Sequence, residues 1–156
     1  MQVIDKIDKY IIEQLAVNGR VSFANIAKEI NLTDVAVKKR LDRLTQRGII
    51  KSITAEIDYE ILGFNEKAEI LITIDPSKQN DIIKKLKEME DVKEVIEVTG
   101  EYNVLARVMA LDKGDLKALL DSIFKIDGIT KASILTILKE HKNSKNLPRK
   151  ILQTTF

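Results

Sequence analysis

The chain has 156 residues, with 26 lysines and arginines, 24 aspartates and glutamates, one histidine and no cysteine. Without cysteine there can be no disulfide framework, thiolate zinc site or iron–sulfur cluster, and His141 alone builds no histidine cluster, so we expect neither a metal nor a cofactor. No run approaches the roughly 20 apolar residues of a membrane-spanning helix, and the N-terminus lacks a secretory pattern, so we expect a cytoplasmic protein without a membrane partner.

The chain opens with a pattern that predicts two helices. Apolar residues recur at helical spacing from Ile4 to Leu15, and the stripe stops at Asn18-Gly19, a C-terminal signal. Ser22 can cap a second, short helix. This helix is predicted to end at Asn31, because asparagine tolerates the left-handed conformation that helix ends often adopt.

A third helix is predicted over residues 34–46, with Thr33 as its N-cap and Gly48 as its end. Its inner apolar positions are Val37, Leu41 and Leu44, and its outer face consists of Val35, Lys38, Lys39, Asp42 and Gln46. Two helices joined by a short turn, the second with a basic exposed face, are typical of a helix-turn-helix. The β-branched run 49–57 predicts a strand, one arm of a small wing.

Basic side chains cluster on the third helix and just after it. Residues 38–51 contain six basic side chains against Asp42 alone, in a chain with a formal net charge of only +2. Such a patch is the usual footprint of an anionic partner, although a solvated helix face is the alternative. We expect double-stranded DNA as the partner. Base edges would meet Thr33, Asp34, Val35 and Lys38, and phosphates would meet Lys39, Arg40, Arg43 and Arg47.

The second segment predicts a strand-helix-strand unit that occurs twice. The first copy runs from the alternating strand 69–74 to the strand 92–98, and the second copy, roughly 36 positions later, ends in a strand over 129–138. This order is the βαββαβ ferredoxin-like sandwich, with four antiparallel strands and both helices on one face. The fold class is therefore α+β, a helix-turn-helix, winged-helix-like domain over 1–63 followed by a ferredoxin-like domain over 64–139, with a basic tail over 140–156.

The closing strand is apolar on both of its faces. One face carries Ala132, Ile134 and Leu138, and the other carries Leu135 and Ile137. One set should meet the helices, and the other needs a second cover. A second copy of the same sheet is the simplest cover, so we expect a homodimer formed sheet to sheet.

Taken in order, these motifs resemble the Lrp/AsnC family of feast-famine transcription regulators. The resemblance runs from Ile4-Asp5-Lys6-Ile7-Asp8 to Leu62-Gly63 and continues into the duplicated unit. It implies DNA contacts at Ser22, Thr33, Asp34, Val35, Lys38, Lys39 and Arg40. It also implies a regulatory (RAM) domain that forms dimers and octamers and binds an amino-acid effector. The matching effector segment is Thr99, Gly100, Glu101, Tyr102 and Asn103, where many relatives have Asp at the last position.

Two other classes of function remain open at this point. A metabolite-binding regulatory subunit or enzyme could use the ferredoxin-like half alone. Catalysis is disfavoured, however, because the sequence offers no phosphate-binding glycine loop and no nucleophile beside a recognisable base, so we expect no enzyme. A non-specific architectural DNA-binding protein would need the same basic patch but no preferred site. The leading interpretation is a sequence-specific DNA-binding regulator.

Overall fold

The computed structural model describes residues 4–141. These residues divide into two compact units, one extending to Glu56 and the other spanning Ile57–His141. The predicted domain limits 1–63 and 64–139 stay predictions. The predicted basic tail lies almost wholly outside the described residues.

The first unit is built from three helices, which confirms the predicted pattern. They are α1, Lys6–Val17; α2, Phe23–Glu29; and α3, Asp34–Gln46. The helices pack through one core, to which each contributes fully or almost fully buried residues: Ile11, Ile26, Ala27, Val37 and Leu44. This apolar core fixes the inner face of α3 against α1 and α2.

A side-chain cap begins α1, and a glycine turn ends α3. Asp5 caps α1 in a reciprocal capping box, since its side chain accepts from the backbone N–H of Asp8 and the Asp8 side chain accepts from that of Asp5. At the other end of the unit, Gly48 has φ +69° and lets the N–H of Ile49 turn back to the Leu44 carbonyl at 2.9 Å. The predicted end of α3 at Gly48 is confirmed.

The strand predicted over residues 49–57 is wrong. Ile50 donates its N–H to the Leu44 carbonyl, and from residue 51 to 57 the backbone pairs with no strand of the described chain. Ile53 is 47% exposed, and it borders a groove of about 770 Å³ along the end of α1. A β-branched run favours extended backbone, but a strand also needs a hydrogen-bonding neighbour.

The second unit contains four strands and two helices in the predicted βαββαβ order. The elements are β1, Glu66–Ile74; α4, Gln79–Glu88, preceded by a 3-10 turn at Pro76–Lys78; β2, Val92–Glu97; β3, Val104–Ala110; α5, Lys113–Phe124; and β4, Ile129–Thr136. All pairings are antiparallel, and the strand order is β2-β3-β1-β4. The ferredoxin-like prediction is confirmed. Within residues 4–141, no helix is long and apolar enough to cross a membrane.

Both helices cover one face of the sheet. The core on that face includes Ile70 and Ile72 of β1, Ala106 of β3, Leu86 of α4 and Ile123 of α5, all fully buried. These β1 and β3 residues alternate with outward-facing ones, as the pleat of a strand requires. The core positions of β1 therefore define which residues of its neighbours face the helices.

Register with β1 assigns the two faces of β4. Ile134 lies opposite Ile70 and therefore belongs to the helix side, whereas Leu135 lies opposite Glu69 on the open face. Leu138 lies beyond the end of β4 and is 95% exposed. The set of Ala132 and Ile134 therefore meets the helices, and the set of Leu135 is the one that needs a second cover, a choice that the alternation alone leaves open.

The open face is less uniformly apolar than expected. Arg107 of β3 crosses it and donates to Glu69 at 2.6 Å and to Glu94 at 3.3 Å, which raises the pKa of the guanidinium. Apolar side chains surround this charged group on three strands: Leu71, Leu105 and Leu135. Any partner that covers this face must accommodate both kinds of surface.

Candidate nucleic-acid interface

The turn between α2 and α3 is short and rigidly defined. Asn31 adopts φ +53°, and the N–H of Leu32 turns back to the carbonyl of Ala27 at 2.9 Å. Thr33 then caps α3 by accepting the N–H of Ala36 at its hydroxyl, at 3.2 Å. Consecutive caps therefore end one helix and begin the next within four residues, which is the geometry of a helix-turn-helix.

The outer face of α3 is exposed along its whole length, as predicted. Val35 is 64% exposed, so it does not pack inside the unit, and Lys38 and Lys39 also lie in solvent. Thr33 and Asp34 begin the same helix at its exposed amino-terminal end. The surface offers a methyl-bearing side chain, a hydroxyl, a carboxylate and two ammonium groups, which together can contact base edges and phosphates.

Ser22 caps α2 in the same way that Thr33 caps α3. Its hydroxyl accepts the N–H of Asn25 at 3.2 Å, and the side chain is exposed. The first turn of α2 therefore presents a solvent-accessible polar end. A helix N-terminus of this kind carries partial positive charge and is suited to a phosphate.

The arginines of α3 differ from their predicted surroundings. Arg40 is not freely exposed, because its Nη1 donates to Asp5 at 2.6 Å and to Asp8 at 2.8 Å. Arg43 donates from Nη2 to both oxygens of Asp8, at 3.0 and 2.9 Å. Arg47 is the C-cap residue of α3 and is partly buried. Two carboxylates and two guanidiniums thus form one cluster, which joins the flank of α3 to the start of α1 and consists of Asp5, Asp8, Arg40 and Arg43.

For Arg40 and Asp5, the surroundings favour the charged form. Hydrogen bonds to Asp5 and Asp8 raise the pKa of Arg40. Burial acts to raise the pKa of Asp5, but the N–H of Asp8 and the guanidinium of Arg40 outweigh it, so the pKa of Asp5 lies below its usual value. Sequence reasoning missed this cluster. The two carboxylates are three residues apart, as are the two arginines, but each carboxylate lies more than 30 positions from the arginine it binds.

The predicted effector segment forms the connection between β2 and β3. Gly100 has φ +140° with open space on its Cα, and the carbonyl of Glu101 accepts the hydroxyl of Thr73 at 3.0 Å. Lys131 of β4 pairs with the Glu101 carboxylate, which raises the pKa of the lysine, and lies 5.1 Å above the Tyr102 ring. Exposed Thr99 precedes the glycine, so the segment is anchored to the sheet on its Glu101 side and open on its Gly100 side.

Asn103 is used by the fold rather than directed into open space. Its Oδ1 accepts the N–H of Ile74 at 2.9 Å, and its Nδ2 donates to the Ile74 carbonyl at 3.3 Å. The amide thereby substitutes for a backbone pair at the end of β1. Both of its polar atoms have partners, so Asn103 is less available to a ligand than the sequence suggested. Within residues 4–141, no group of three or more histidine, cysteine or carboxylate side chains could hold a metal ion.

Comparison with known proteins identifies relatives that cover nearly the whole chain. The AsnC-type helix-turn-helix domain matches residues 4–45, and the Lrp/AsnC ligand binding domain matches residues 67–147. The HTH-type transcriptional regulator FL11 of Pyrococcus furiosus is 34% identical over 95% of this chain and 98% of its own. The regulator Ptr1 of Methanocaldococcus jannaschii is 31% identical over 94% of this chain and 99% of its own.

Solved structures give the same result. AsnC of E. coli superposes with a TM-score of 0.84 at 26% identity, covering 91% of this chain and 97% of that one. The feast or famine regulatory protein of M. tuberculosis, complexed with L-methionine, superposes with a TM-score of 0.86 at 27% identity, covering 93% and 99%. The likeness therefore includes both the three-helix unit and the ferredoxin-like unit, in the same order along the chain.

Proposed function

Because this chain belongs to the Lrp/AsnC family of transcription regulators, we propose that it recognises specific DNA sequences by placing α3 in the major groove. The observation that carries the proposal is the division of α3 into two faces. Val37 and Leu44 are fully buried, whereas the opposite face is exposed and basic. A helix anchored on one side and exposed on the other can enter a groove without unfolding its own domain.

The residues of α3 divide the work of recognition. Val35 contacts a thymine methyl, and Lys38 contacts guanine acceptors, with Thr33 and Asp34 beside them at the base edges. Lys39, Arg40, Arg43 and Arg47 meet the phosphates, together with Ser22 at the start of α2. Phosphate contacts supply sequence-independent affinity, and the base-edge contacts supply the preference among sequences.

Selection of bound duplexes from a random pool by the purified chain tests this function. We expect one enriched motif, and Lys38→Ala should change that motif. Lys39→Ala should weaken all duplexes about equally and reduce the slope of log affinity against log salt by about 0.9. Lys84→Ala removes an exposed charge from α4 and serves as the control. Binding without an enriched motif would instead identify an architectural DNA-binding protein.

We also propose that the chain acts as a cytoplasmic, non-catalytic homodimer whose domains are residues 1–63 and 64–139, with the open sheet faces in contact. Exposed Leu135 and half-buried Leu71 on this face support the proposal, since apolar surface of this kind is normally covered. A dimer would present two copies of α3 to one duplex. Dimers of this kind could associate further, into octamers.

An amino acid is the proposed effector, and the segment 99–103 at a subunit boundary is its proposed site. Support comes from the open space at Gly100 and from the L-methionine bound to the M. tuberculosis relative. The backbone of the segment would supply the polar contacts, because the side-chain amide of Asn103 is already hydrogen-bonded to Ile74. Calorimetric titration with the twenty amino acids tests this. Binding that a Gly100→Val change leaves unaltered would exclude the segment.

A further inference from the structure

A buried carboxylate lies beneath the DNA-binding helix. Asp8 is 1% exposed, and it lies in the first turn of α1. Its oxygens accept hydrogen bonds from Arg40 at 2.8 Å and from Arg43 at 3.0 and 2.9 Å, and a longer one from the N–H of Asp5 at 3.4 Å. Asp8 is therefore fully satisfied, as a buried charge must be.

Stability alone is a poor explanation for such a cluster. A buried ion pair often stabilises a fold no more than well-packed apolar side chains of similar volume would, because desolvation offsets the attraction between the charges. What an ion pair does provide is a fixed geometry. The planar guanidinium of an arginine, held at one terminal nitrogen, has its other N–H groups in defined directions.

Arg43 has this arrangement. Its side chain is 49% exposed although Asp8 is buried, so the ion pair connects the interior of the unit to its surface. Among residues 4–141, the hydrogen bonds of Arg43 to Asp8 come from Nη2 alone, so its Nε and Nη1 hydrogens are not used in this pair. Arg40, bound to Asp5 and Asp8 at once, holds the carboxylate in place.

We propose that Asp8 is a positioning residue for DNA binding, which holds Arg43 so that its remaining N–H groups meet one backbone phosphate. This inference rests on the proposed DNA-binding function. The cluster of two carboxylates and two guanidiniums is neutral, so it contributes direction rather than long-range attraction. Lys38 and Lys39 supply the attraction, and Arg43 fixes the register of α3 on the duplex.

Electrostatic attraction and the positioning of Arg43 predict opposite effects of Asp8→Asn on the affinity for DNA. The substitution keeps the size of the side chain and raises the net charge by one, so attraction alone would tighten binding to DNA. If Asp8 positions Arg43, binding should instead weaken about tenfold, the effect of losing one charge-assisted hydrogen bond. Glu29→Gln is the matched control, because it makes the same charge change at an exposed position on α2.

The experiment measures affinity of the full-length chain for a mixed-sequence duplex, with helicity and thermal unfolding checked at the assay temperature. A folded Asp8→Asn variant that binds as tightly as Glu29→Gln would overturn the inference. Arg43→Lys is decisive if Asp8→Asn fails to fold. Lysine keeps the charge but cannot hold Asp8 and a phosphate in one rigid fork, so about tenfold weaker binding is expected and unchanged binding contradicts the inference.

A double-mutant comparison separates positioning from general weakening of the fold. In an Arg43→Ala background, the affinities of Asp8→Asn and of the charge-matched Glu29→Gln should differ by less than about twofold, since the residue through which Asp8 acts is already gone. A full tenfold loss in that background would assign Asp8 a purely structural role. A wild-type chain that binds no duplex would instead overturn the proposed function itself, so the two failures are distinguishable.

Discussion

Asn103 shows how one side chain can take over the work of the backbone. Its amide accepts from and donates to the same residue, Ile74, where the pairing between β1 and β3 ends. Asn103→Asp keeps the acceptor but places a carboxylate oxygen against the Ile74 carbonyl. The free energy of unfolding should fall by about 1–3 kcal/mol at neutral pH, which urea denaturation would measure.

The pH dependence of that variant distinguishes this cause from a general loss of packing. When protonated, the introduced carboxyl can donate to the Ile74 carbonyl again, so the loss should shrink at acid pH. Asn80→Asp, at an exposed position in the first turn of α4, is the control and should stay within about 0.5 kcal/mol of wild type. Equal losses in the two variants would contradict the role assigned to the Asn103 amide.

Asp5 makes a second, independent prediction about pH. Because its pKa is lower in the folded than in the unfolded chain, the stabilisation it provides is present at neutral pH. It is lost as the pH falls below about 4 and through the folded pKa. Asp5→Asn keeps a good N-cap for α1 but has no charge to lose. Its urea midpoint should therefore fall less steeply than that of wild type between about pH 5 and 2, and parallel curves would refute the assignment.

At the scale of elements, most of the helices could be predicted from the sequence because helix formation depends on local signals. Ser22 and Thr33 are caps whose partners lie three residues away, and Asn31 and Gly48 end helices through their own backbone conformations. The segment 49–57 has equally strong local signals, yet it forms no strand in the described chain. Strand pairing depends on a distant partner, which local sequence does not specify.

The turn between α5 and β4 requires glycine at position 128 for two independent reasons, its backbone conformation and the lack of space for a Cβ. Gly128 has φ +98°, and a Cβ there would lie 2.9 Å from side-chain atoms of Ile82 and Lys78. Gly63 has nearly the same φ, +97°, but a Cβ would be in ordinary contact with Leu111 at 4.0 Å. Both alanine variants should lose about 1 kcal/mol or more through backbone strain.

The difference between the two glycine variants isolates the steric cost. Gly128→Ala should lose a further 1–3 kcal/mol, about the cost of overpacking, because Ile82 belongs to the core and has little room to move. Both glycines lie in the same unit, so a single urea transition reports both losses. Equal destabilisation would show that Lys78 and Ile82 readjust freely around the added methyl group.

At the scale of the molecule, the limits of sequence reasoning concern which surfaces meet. The Asp8 and Arg43 pair joins residues that are 35 positions apart, and neither residue alone indicates its partner. Likewise, the alternation of β4 separates Ile134 from Leu135 without showing which one faces the helices. Register with β1 decides it, because Ile70 is in the core and Glu69 is not.

The face assignment leads to the last prediction, which concerns assembly. Leu135→Glu would place a charge beside Glu69 on the open face, where two copies are proposed to meet, and burying it there costs several kcal/mol by order of magnitude. Sedimentation should then detect monomers, whereas Phe124→Glu, on the exposed end of α5, should leave the mass unchanged. If the wild type is a dimer, twofold symmetry further requires a palindromic operator with half-sites a multiple of about 10 base pairs apart. A monomeric wild type, or a Leu135→Glu variant that stays dimeric, would exclude the open face as the interface.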